Sequence, residues 1–515
     1  MFVSPVFSAR LQGAILSGIG LLLAIVAGAY VGSADYRPLI LGVLMVVGIA
    51  FIFWSGRFFW VIAVASSALA GTFPILGGSF NTFQILMGVG VAKFLIEDVV
   101  MRRTRFPAMP RIDLLLVAGF MGIITLHGLH DRFGMRFLGS TIWGGRNYVN
   151  VYVGFFAFFA LQIIPIKGRL WDKLPYLVLA VTMFDLFIAV LTTVFPSTIF
   201  MIYPFYSAVS VSGVSELLTG NDELASRIGS LGNFGGALIT IILARISLPQ
   251  LFSLRNLSKL FWSAVGAVFV LASGFRTSVA TLFLTVFVAG VRDLRLRVLA
   301  LLPVAAALLF GLSFINSSVV PLPKSMQRAL VFVPGNWDAE MRKDAAASND
   351  FRVHVWSTFL KDYFPQHPWI GRGFGFRPEW TEDSLFIAKA VDYQQWVEVG
   401  NIHNGSLASL DALGIIGTIF FAIWNIRLLF QTLQVSFAVK SEGSFTLRFV
   451  ALGLAVSVLA FWLGAVTVGT YLPQFFASAG VFLGLKRRLK EEQKAVRLAD
   501  PRPPEPTEWT VAAVS

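Results

Sequence analysis

Long apolar stretches separated by polar loops recur through most of this chain of 515 residues. Each stretch holds roughly 17 to 22 residues, enough for a helix to cross about 30 Å of hydrocarbon. The pattern predicts an all-α polytopic integral membrane protein with about 14 transmembrane helices. The predicted spans are 11–32, 38–55, 58–77, 82–100, 113–130, 151–167, 174–195, 233–249, 259–275, 276–291, 298–316, 406–430, 449–470 and 472–486.

Composition agrees with this fold class and excludes several kinds of chemistry. Hydrophobic residues make up 56% of the chain and charged residues only 13%, which does not suit an ordinary soluble core. The chain has no cysteine. Disulfides, thiolate catalysis and cysteine-ligated metals are therefore excluded.

The formal net charge of +13 is concentrated in short loops on one side of the predicted membrane. The positive-inside rule makes that side cytoplasmic, with both termini inside. The excess is thus a topology signal that favours contact with anionic membrane lipids, and we expect no nucleic-acid partner. The clustered residues are Arg102, Arg103, Arg105, Arg111, Lys167, Arg169, Lys173, Arg292, Arg295, Arg297, Lys486, Arg487, Arg488 and Lys490.

With this topology, the longest outer loop divides the chain. We expect an N-terminal transmembrane helix bundle at 1–316 and a large extracytoplasmic loop subdomain at 317–405. C-terminal transmembrane helices follow at 406–486, and a flexible cytoplasmic tail at 487–515. The tail prediction rests on its charged and proline-rich sequence.

Within the large loop, residues 350–360 carry apolar side chains at helical spacing, and Pro365 and Pro368 end the predicted helix. The run Gly371-Arg372-Gly373-Phe374-Gly375 follows. Its alternate glycines predict a tight turn. Nucleotide binding is not expected, because no βαβ unit surrounds the run.

Two arginines lie on the outer side, against the positive-inside bias. Arg276 falls at the junction of two apolar spans, and Arg227 precedes the span that starts near Asn233. A guanidinium in such a place needs a carboxylate, a lipid headgroup or a substrate anion, and its planar fork suits phosphate oxygens. A structural role remains open for each, since Asp222 and Glu223 are near enough in sequence to pair with Arg227.

His403 lies where the large polar loop meets the next apolar helix. At headgroup level, water, lipid phosphates and an ionisable side chain meet, which suits a reaction on a lipid-linked substrate. The alternative is an interfacial histidine with a satisfied hydrogen bond and no chemistry. The other four histidines form no zinc motif, so we expect no metal and no cofactor.

These residues resemble the O-antigen ligase and polymerase superfamily of bacterial envelope glycosyltransferases. The resemblance covers about 220–430 and is carried by His403-Asn404, nine further residues and Gly414-x-x-Gly417, preceded by Phe364-Pro365 and the glycine run. Arg227 and Arg276 look like the family's two outer arginines. Arg352 and Trp356 look like the start of its large-loop helix.

The resemblance implies a metal-independent, inverting transfer of a preassembled glycan from a polyprenyl (undecaprenyl) pyrophosphate carrier to an acceptor hydroxyl. Transfer would occur at the periplasmic face of the inner membrane. Arg227 and Arg276 are assigned to the pyrophosphate and His403 to the general base. Asn404, Arg352, Arg372 and Trp356 are candidates for substrate binding.

The acceptor is left open by the resemblance. A ligase uses lipid A-core, a polymerase uses another lipid-linked glycan, and a relative could modify proteins; a chain-length regulator is a further candidate partner. A polymerase is slightly preferred because about fourteen spans exceed those expected of a compact ligase. The alternative from another class is a transporter of a polar or anionic solute, which should show paired broken helices in two related halves.

Overall fold

The computed structural model of the chain describes residues 48, 50, 54–75, 78–96, 110–130, 145–164, 168–195, 197–202, 206, 228–374, 393–398, 400–438, 445–464 and 468–499. The chain divides into two compact units, Met1–Val61 and Ile62–Ser515. Most of the first unit lies outside the described residues. The packing and the site below belong to the second unit.

Helices account for most of the described chain. The longer ones, in chain order, are α1 (Phe58–Ala65), α2 (Thr82–Phe94), α3 (Arg111–His130), α4 (Gly145–Ile163), α5 (Leu174–Val194), α6 (Gly229–Arg245), α7 (Leu257–Ala272), α8 (Arg276–Leu294), α9 (Leu301–Ser318), α10 (Lys324–Leu330), α11 (Ala339–Thr358), α12 (Tyr393–Glu398), α13 (Gly405–Ala438), α14 (Phe445–Leu463) and α15 (Val468–Ala499).

Within the described residues, six helical stretches are long and apolar enough to cross a membrane, so the protein is a helical membrane protein. One stretch, Arg276–Ser318, has 43 residues. At 1.5 Å per residue it is about 65 Å long, and Arg295, with a φ of 54°, breaks it between α8 and α9. The separate spans at 276–291 and 298–316 agree with that break. The total of about fourteen spans stays a prediction.

A small β-hairpin is the exception to the helical fold among the described residues. Thr72–Ile75 pairs antiparallel with Gly78–Asn81, with Thr72 opposite Asn81. Asn81 then caps α2, because its side-chain oxygen accepts a hydrogen bond from the Phe83 amide at 2.9 Å. The first strand lies within the predicted span 58–77, and the second lies between that span and the next one at 82–100.

Aromatic side chains and glycines fasten α3, α4, α13 and α15 together. Phe120 lies 5.3 Å from Phe421, and Phe158 lies 5.7 Å from Trp424, all fully buried. Such aromatic pairs each contribute about 0.5–1.5 kcal/mol beyond area burial. On α15, a Cβ at Gly480 would stand 2.7 Å from the Phe158 carbonyl oxygen, so glycine permits close approach to α4.

The two ends of this bundle carry different polar groups. At one end, Arg427 of α13 pairs with Asp113 of α3 at 2.8 Å, and Arg487 of α15 donates to the Gln162 carbonyl at 2.9 Å. Cations at helix C-termini satisfy terminal carbonyls and complement the helix dipole. Thirteen residues, about 20 Å of helix, separate Arg427 from Gly414 at the other end. Arg427 and Arg487 therefore lie at the end of the bundle opposite the Gly414 break.

The predicted large-loop helix is present and longer than expected. α11 runs Ala339–Thr358, starting after Asp338, whose side chain accepts from the Glu340 amide. A π turn at Phe359–Tyr363 and a 3-10 turn at Phe364–Gln366 follow. Val355, Phe359, Tyr363, Val397 and Ile402 form a small buried core with these elements. The C-terminal helix α15 also continues past 486 to Ala499, so the part of the predicted tail at 487–499 is helical.

Candidate functional site

The first turns of α13 are interrupted at Gly414, whose backbone is non-helical with φ 63° and ψ −172°. A break in a helix leaves carbonyl groups before it without intrahelical partners. The plug segment, which we define as residues 368–374, supplies them. The Arg372 amide donates to the Asp411 carbonyl at 2.6 Å, and the Gly373 amide donates to the Ala412 carbonyl at 3.2 Å.

The amide groups after the break are satisfied by the same plug segment. The Ile415 amide donates to the Pro368 carbonyl at 2.8 Å, and the Ile416 amide donates to the Trp369 carbonyl at 3.1 Å. Irregular backbone within a membrane-spanning helix is tolerated where it is buried in protein. The chain thus closes its own helix break with main-chain hydrogen bonds.

Glycines make this close approach possible. Gly371 and Gly373 have φ angles of 75° and 72°, in the left-handed region. A Cβ at Gly371 would lie 2.5 Å from the Asp411 carbonyl oxygen, and one at Gly414 would lie 2.4 Å from the Gly371 nitrogen. The predicted tight turn is therefore a backbone-to-backbone joint, and Gly414 is part of it.

Arg372 is engaged inside the protein. Its guanidinium pairs with the buried Asp411 carboxylate at 2.7 Å and donates to the Val397 carbonyl at 2.8 Å. It also lies over the Tyr363 ring, 4.6 Å from the centroid. These contacts favour a structural role for Arg372 over the predicted contact with phosphate or sugar.

Two further helices hold the plug segment. The Ile370 carbonyl lies 2.8 Å from His127 Nε2 on α3, and the Phe374 amide donates to the Tyr148 hydroxyl of α4 at 3.1 Å. The Tyr148 and Phe374 rings also pack edge to face at 5.3 Å. His127 therefore contributes to the fold of this joint.

His403 precedes Gly414 by eleven residues, about three turns of helix, and has an unusual backbone conformation. Its φ is 53°, a left-handed value that only Arg295 shares among the described residues other than glycine. Such conformations cost free energy and concentrate at functional sites. Asn404 follows as the helix cap: its side-chain oxygen accepts from the Leu407 amide at 3.1 Å, so that oxygen positions α13.

The His403 imidazole is half-buried between aromatic rings and a cation. Its centroid lies 5.5 Å from the Trp396 ring and 6.4 Å from the Phe351 ring. Burial, and then the positive charge of Arg352, lower the pKa of His403 below its ordinary value. The ring is therefore neutral at neutral pH, which is the protonation state that a general base requires.

Trp356 supports the backbone beside His403. Its indole N–H donates to the Ile402 carbonyl at 2.8 Å, and the ring packs against the buried Val355–Val397 core. Ile402 directly precedes the strained His403. This contact favours a positioning role for Trp356 over the predicted direct contact with substrate.

Helix α11 connects the Arg276 junction with the histidine. The Arg276 guanidinium donates to the Asn349 side-chain oxygen at 3.1 Å. Asn349, Arg352 and Trp356 are spaced i, i+3 and i+7 and share one helix face. The rise from Asn349 to Arg352 is about 4.5 Å. One face of α11 therefore contacts Arg276 through Asn349 and, about one turn later, carries Arg352, the cation near His403.

A cavity of about 370 Å³ begins at Thr277, the residue that follows Arg276 on α8. Thr277, Thr281 and Thr285 follow its wall down α8, so the cavity extends about 12 Å along the span. The Thr281 and Thr285 hydroxyls bond carbonyls of their own helix at 2.9 and 2.8 Å. The remaining lining residues are Gly232, Asn233, Gly236, Ala237, Ile239, Thr240, Ser278, Leu282, Gly453 and Val456.

The structure thus groups the predicted residues in three ways. Arg276, Arg352 and His403 are linked through α11, whereas Arg372 and Asn404 maintain the fold. Arg227 lies outside the described residues. Within the described ranges, no group of three or more histidine or acidic side chains could hold a metal ion.

Sequence reasoning missed Asn349 and the packing of Phe351 and Trp396 against His403. A helix register drawn from Trp356 back to Asn349 would have indicated the first, since both share a face with Arg352. The second had no signal, because Trp396 and His403 are joined by a turn with no regular spacing.

Residues 259–422 match the profile of the O-antigen ligase family. The matched segment includes Arg276, Arg352, His403 and Gly414, and it confirms the resemblance to the O-antigen ligase and polymerase superfamily. Arg227 precedes the matched segment. No curated protein matches the chain.

Proposed function

We propose that the chain transfers a preassembled glycan from a polyprenyl pyrophosphate carrier to an acceptor hydroxyl, because residues 259–422 match the profile of the O-antigen ligase family. The family supports a glycosyltransferase-type enzyme of surface polysaccharide synthesis. The observation that carries the finer proposal is the linkage, through one face of α11, of a neutral, strained His403 to Arg276.

His403 is the proposed general base. The acceptor oxygen attacks the anomeric carbon of the donor sugar, and its proton passes to the imidazole. The bond between that carbon and the pyrophosphate oxygen breaks, and the polyprenyl pyrophosphate leaves with the electron pair. Attack from the face opposite the leaving group inverts the anomeric centre. A positioned base contributes about 10²–10⁴ in rate.

Arg276 and Arg352 are the proposed partners of the pyrophosphate. Charge develops on the leaving oxygens as the glycosidic bond breaks, and guanidinium groups in a partly dry site stabilise that charge. Arg352 is half-buried and close enough to His403 to depress its pKa. Arg227, which precedes α6, remains a further candidate for the same role.

The cavity below Arg276 is the proposed site for the first isoprene units of the carrier. It begins at Thr277, next to Arg276, and continues down the membrane-spanning part of α8. The Thr281 and Thr285 hydroxyls bond their own helix, so their methyl groups are available to an apolar chain. A carrier bound there would present its pyrophosphate to Arg276.

The acceptor class is not decided by the span count. The preference for a polymerase rested on about fourteen spans, and the described residues contain six stretches that qualify. The transporter alternative expects paired broken helices that line a solute path. Gly414 breaks α13, but the plug segment fills that break with backbone hydrogen bonds, which favours the transferase.

The test is gel analysis of surface glycan, together with extraction of lipid-linked donor, in a deletion strain that expresses each variant. Arg276→Ala and His403→Ala should abolish transfer with normal membrane insertion. Arg297→Ala and His130→Ala are matched controls, because both side chains are exposed and away from α11. These controls should retain wild-type glycan.

The accumulated donor identifies the acceptor class. Single lipid-linked repeat units indicate a polymerase, whereas long lipid-linked chains that never reach lipid A-core indicate a ligase. Unchanged glycans from both Arg276→Ala and His403→Ala would reject the transferase and favour the transporter.

A further inference from the structure

An aromatic surface adjoins His403 on the side of α11 away from Asn349. Trp396 of α12 packs edge to face on Phe351 at 5.2 Å, and Tyr393 stacks on His354 at 4.9 Å with an angle of 16°. Phe351 and Tyr393 are 5.9 Å apart and join the two pairs. We call these four residues the aromatic ledge.

The ledge is accessible and held firmly. Trp396 is 36% exposed and His354 is also exposed, although both carry ring contacts within the ledge. Phe351 and Tyr393 pack on the buried core of Val355 and its neighbours. The ledge therefore presents ring surface to the outside from residues that pack on the buried core.

The ledge is joined directly to the proposed base. The Trp396 ring lies 5.5 Å from the His403 ring, inclined by 37°. The Asn401 amide donates to the Trp396 carbonyl at 2.9 Å, so a tight turn fixes the distance between the two side chains. A molecule that covers Trp396 would thus have an edge within reach of the imidazole.

Charge separates the ledge from the arginine side. Asn349, which accepts from Arg276, and Phe351 are two positions apart on α11, so about 200° of rotation separates them. Arg352 and His403 lie between these two sides. Anionic groups are therefore favoured on the Arg276 side and uncharged, amphipathic groups on the ledge.

We propose that the aromatic ledge binds a pyranose ring of the acceptor glycan and directs its hydroxyl to His403. The C–H face of a pyranose is apolar and covers an aromatic ring, while its hydroxyls extend sideways to polar groups. This assignment rests on the proposed function. It places donor and acceptor on opposite sides of the imidazole.

Binding to oligosaccharide tests the ledge independently of chemistry. The probe is the repeat unit released by mild acid from the surface polysaccharide of the source strain, titrated into full-length protein in lipid nanodiscs and followed by saturation-transfer NMR. Trp396→Ala should weaken binding about tenfold, as expected for loss of one stacking face. Trp396→Phe should stay within about threefold of wild type.

Trp369→Ala is the matched control, because Trp369 is a more exposed tryptophan of the same loop, at 63%, and contributes its carbonyl rather than its ring to the plug joint. It should bind like wild type. Equal binding by Trp396→Ala and wild type, equal weakening by both alanine variants, or no saturable binding to wild type would each overturn the ledge.

Transfer kinetics then separate the two proposals. Trp396→Ala should raise the acceptor KM by a similar factor and leave the donor KM unchanged. His403→Ala should lose transfer and keep oligosaccharide binding. A wild-type protein that binds the probe through Trp396 but transfers nothing would reject the proposed function and retain the ledge.

Discussion

Arg372 and Arg276 are both arginines next to glycine-containing turns, yet their surroundings differ. Arg372 is bound to a carboxylate that is 5% exposed, to a main-chain carbonyl and to an aromatic face. Arg276 is partly exposed at the start of α8, contacts a neutral amide and lies beside a cavity. One arginine completes a buried joint, and the other stands at the start of the helix that lines the cavity.

The difference follows from what each backbone requires. The break at Gly414 creates orphan amides and carbonyls, and the plug segment with Arg372 satisfies them. At Arg276 the helix α8 simply begins, and its guanidinium bonds the Asn349 side chain of α11. The same residue type therefore completes a buried backbone joint in one place and links two helices beside a cavity in the other.

The largest expected effect comes from removing each arginine in turn. Arg372→Ala leaves Asp411 buried without its cation, which should lower the free energy of unfolding by about 3–5 kcal/mol. Arg276→Ala should lower the free energy of unfolding by only about 1 kcal/mol, the loss of its hydrogen bond to Asn349, and reduce transfer by at least about a hundredfold. Thermal unfolding in detergent and surface-glycan gels measure the two quantities.

A double variant sharpens this result. Arg372→Met with Asp411→Leu removes both charges and should recover most of the stability that Arg372→Ala loses. If Arg372→Ala is instead stable and inactive, Arg372 belongs to the substrate site and the contrast with Arg276 fails.

The next effect concerns the glycine joint. Gly371→Ala places a Cβ 2.5 Å from the Asp411 carbonyl oxygen at a φ of 75°, so it should destabilise the protein by about 2–3 kcal/mol. Gly122→Ala on α3 is the control, because nothing lies within 4 Å of its added Cβ. That helical substitution should be neutral or stabilising. Equal unfolding temperatures for the two variants would contradict the joint.

Local signals in the sequence predicted the elements but not this joint. The helix near 350–360 and the helix start after His403 could be anticipated, since periodicity and polar-to-apolar transitions act over a few residues. The plug segment and Gly414 are more than forty positions apart in sequence, and only the folded chain brings their backbones together. Spacing marked Gly414 as special without identifying its partner.

For the candidate site, too, the sequence indicated the residues but not their roles. The resemblance selected Arg276 and His403, and it also offered Arg372 and Trp356, because sequence context cannot distinguish a satisfied side chain from an available one. Burial and hydrogen-bond partners make that distinction. Arg227 remains a prediction from sequence, since it lies outside the described residues.

A smaller effect should follow from filling the cavity on the Arg276 side. Gly236→Leu introduces a side chain where nothing lies within 4 Å of the new Cβ, so the protein should fold normally. Excluding two methylenes of the carrier at about 0.8 kcal/mol each should raise the donor KM about tenfold. Gly311→Leu, on exposed α9, should leave kinetics unchanged. An unaltered donor KM in Gly236→Leu would remove the carrier from this cavity.

The smallest effect is a shift in the pH dependence of transfer. His403 must be neutral to accept the acceptor proton, so kcat/KM should rise with pH through the His403 pKa and become flat above it. Because burial and then Arg352 lower that pKa, the rising limb should lie below the range of an ordinary histidine. Arg352→Gln removes one of the two causes, so protonation becomes easier and the limb should move to higher pH.

The exposed Lys361 provides a control for loss of charge from the same loop. Lys361→Gln should leave the limb in place, because no electrostatic effect of Lys361 on His403 is evident, whereas Arg352 depresses the pKa of His403. The midpoint of the limb is the diagnostic quantity, since loss of phosphate binding in Arg352→Gln also lowers the plateau. A limb that stays fixed in Arg352→Gln would mean that a group other than His403 titrates, and the assignment of His403 as the general base would be rejected.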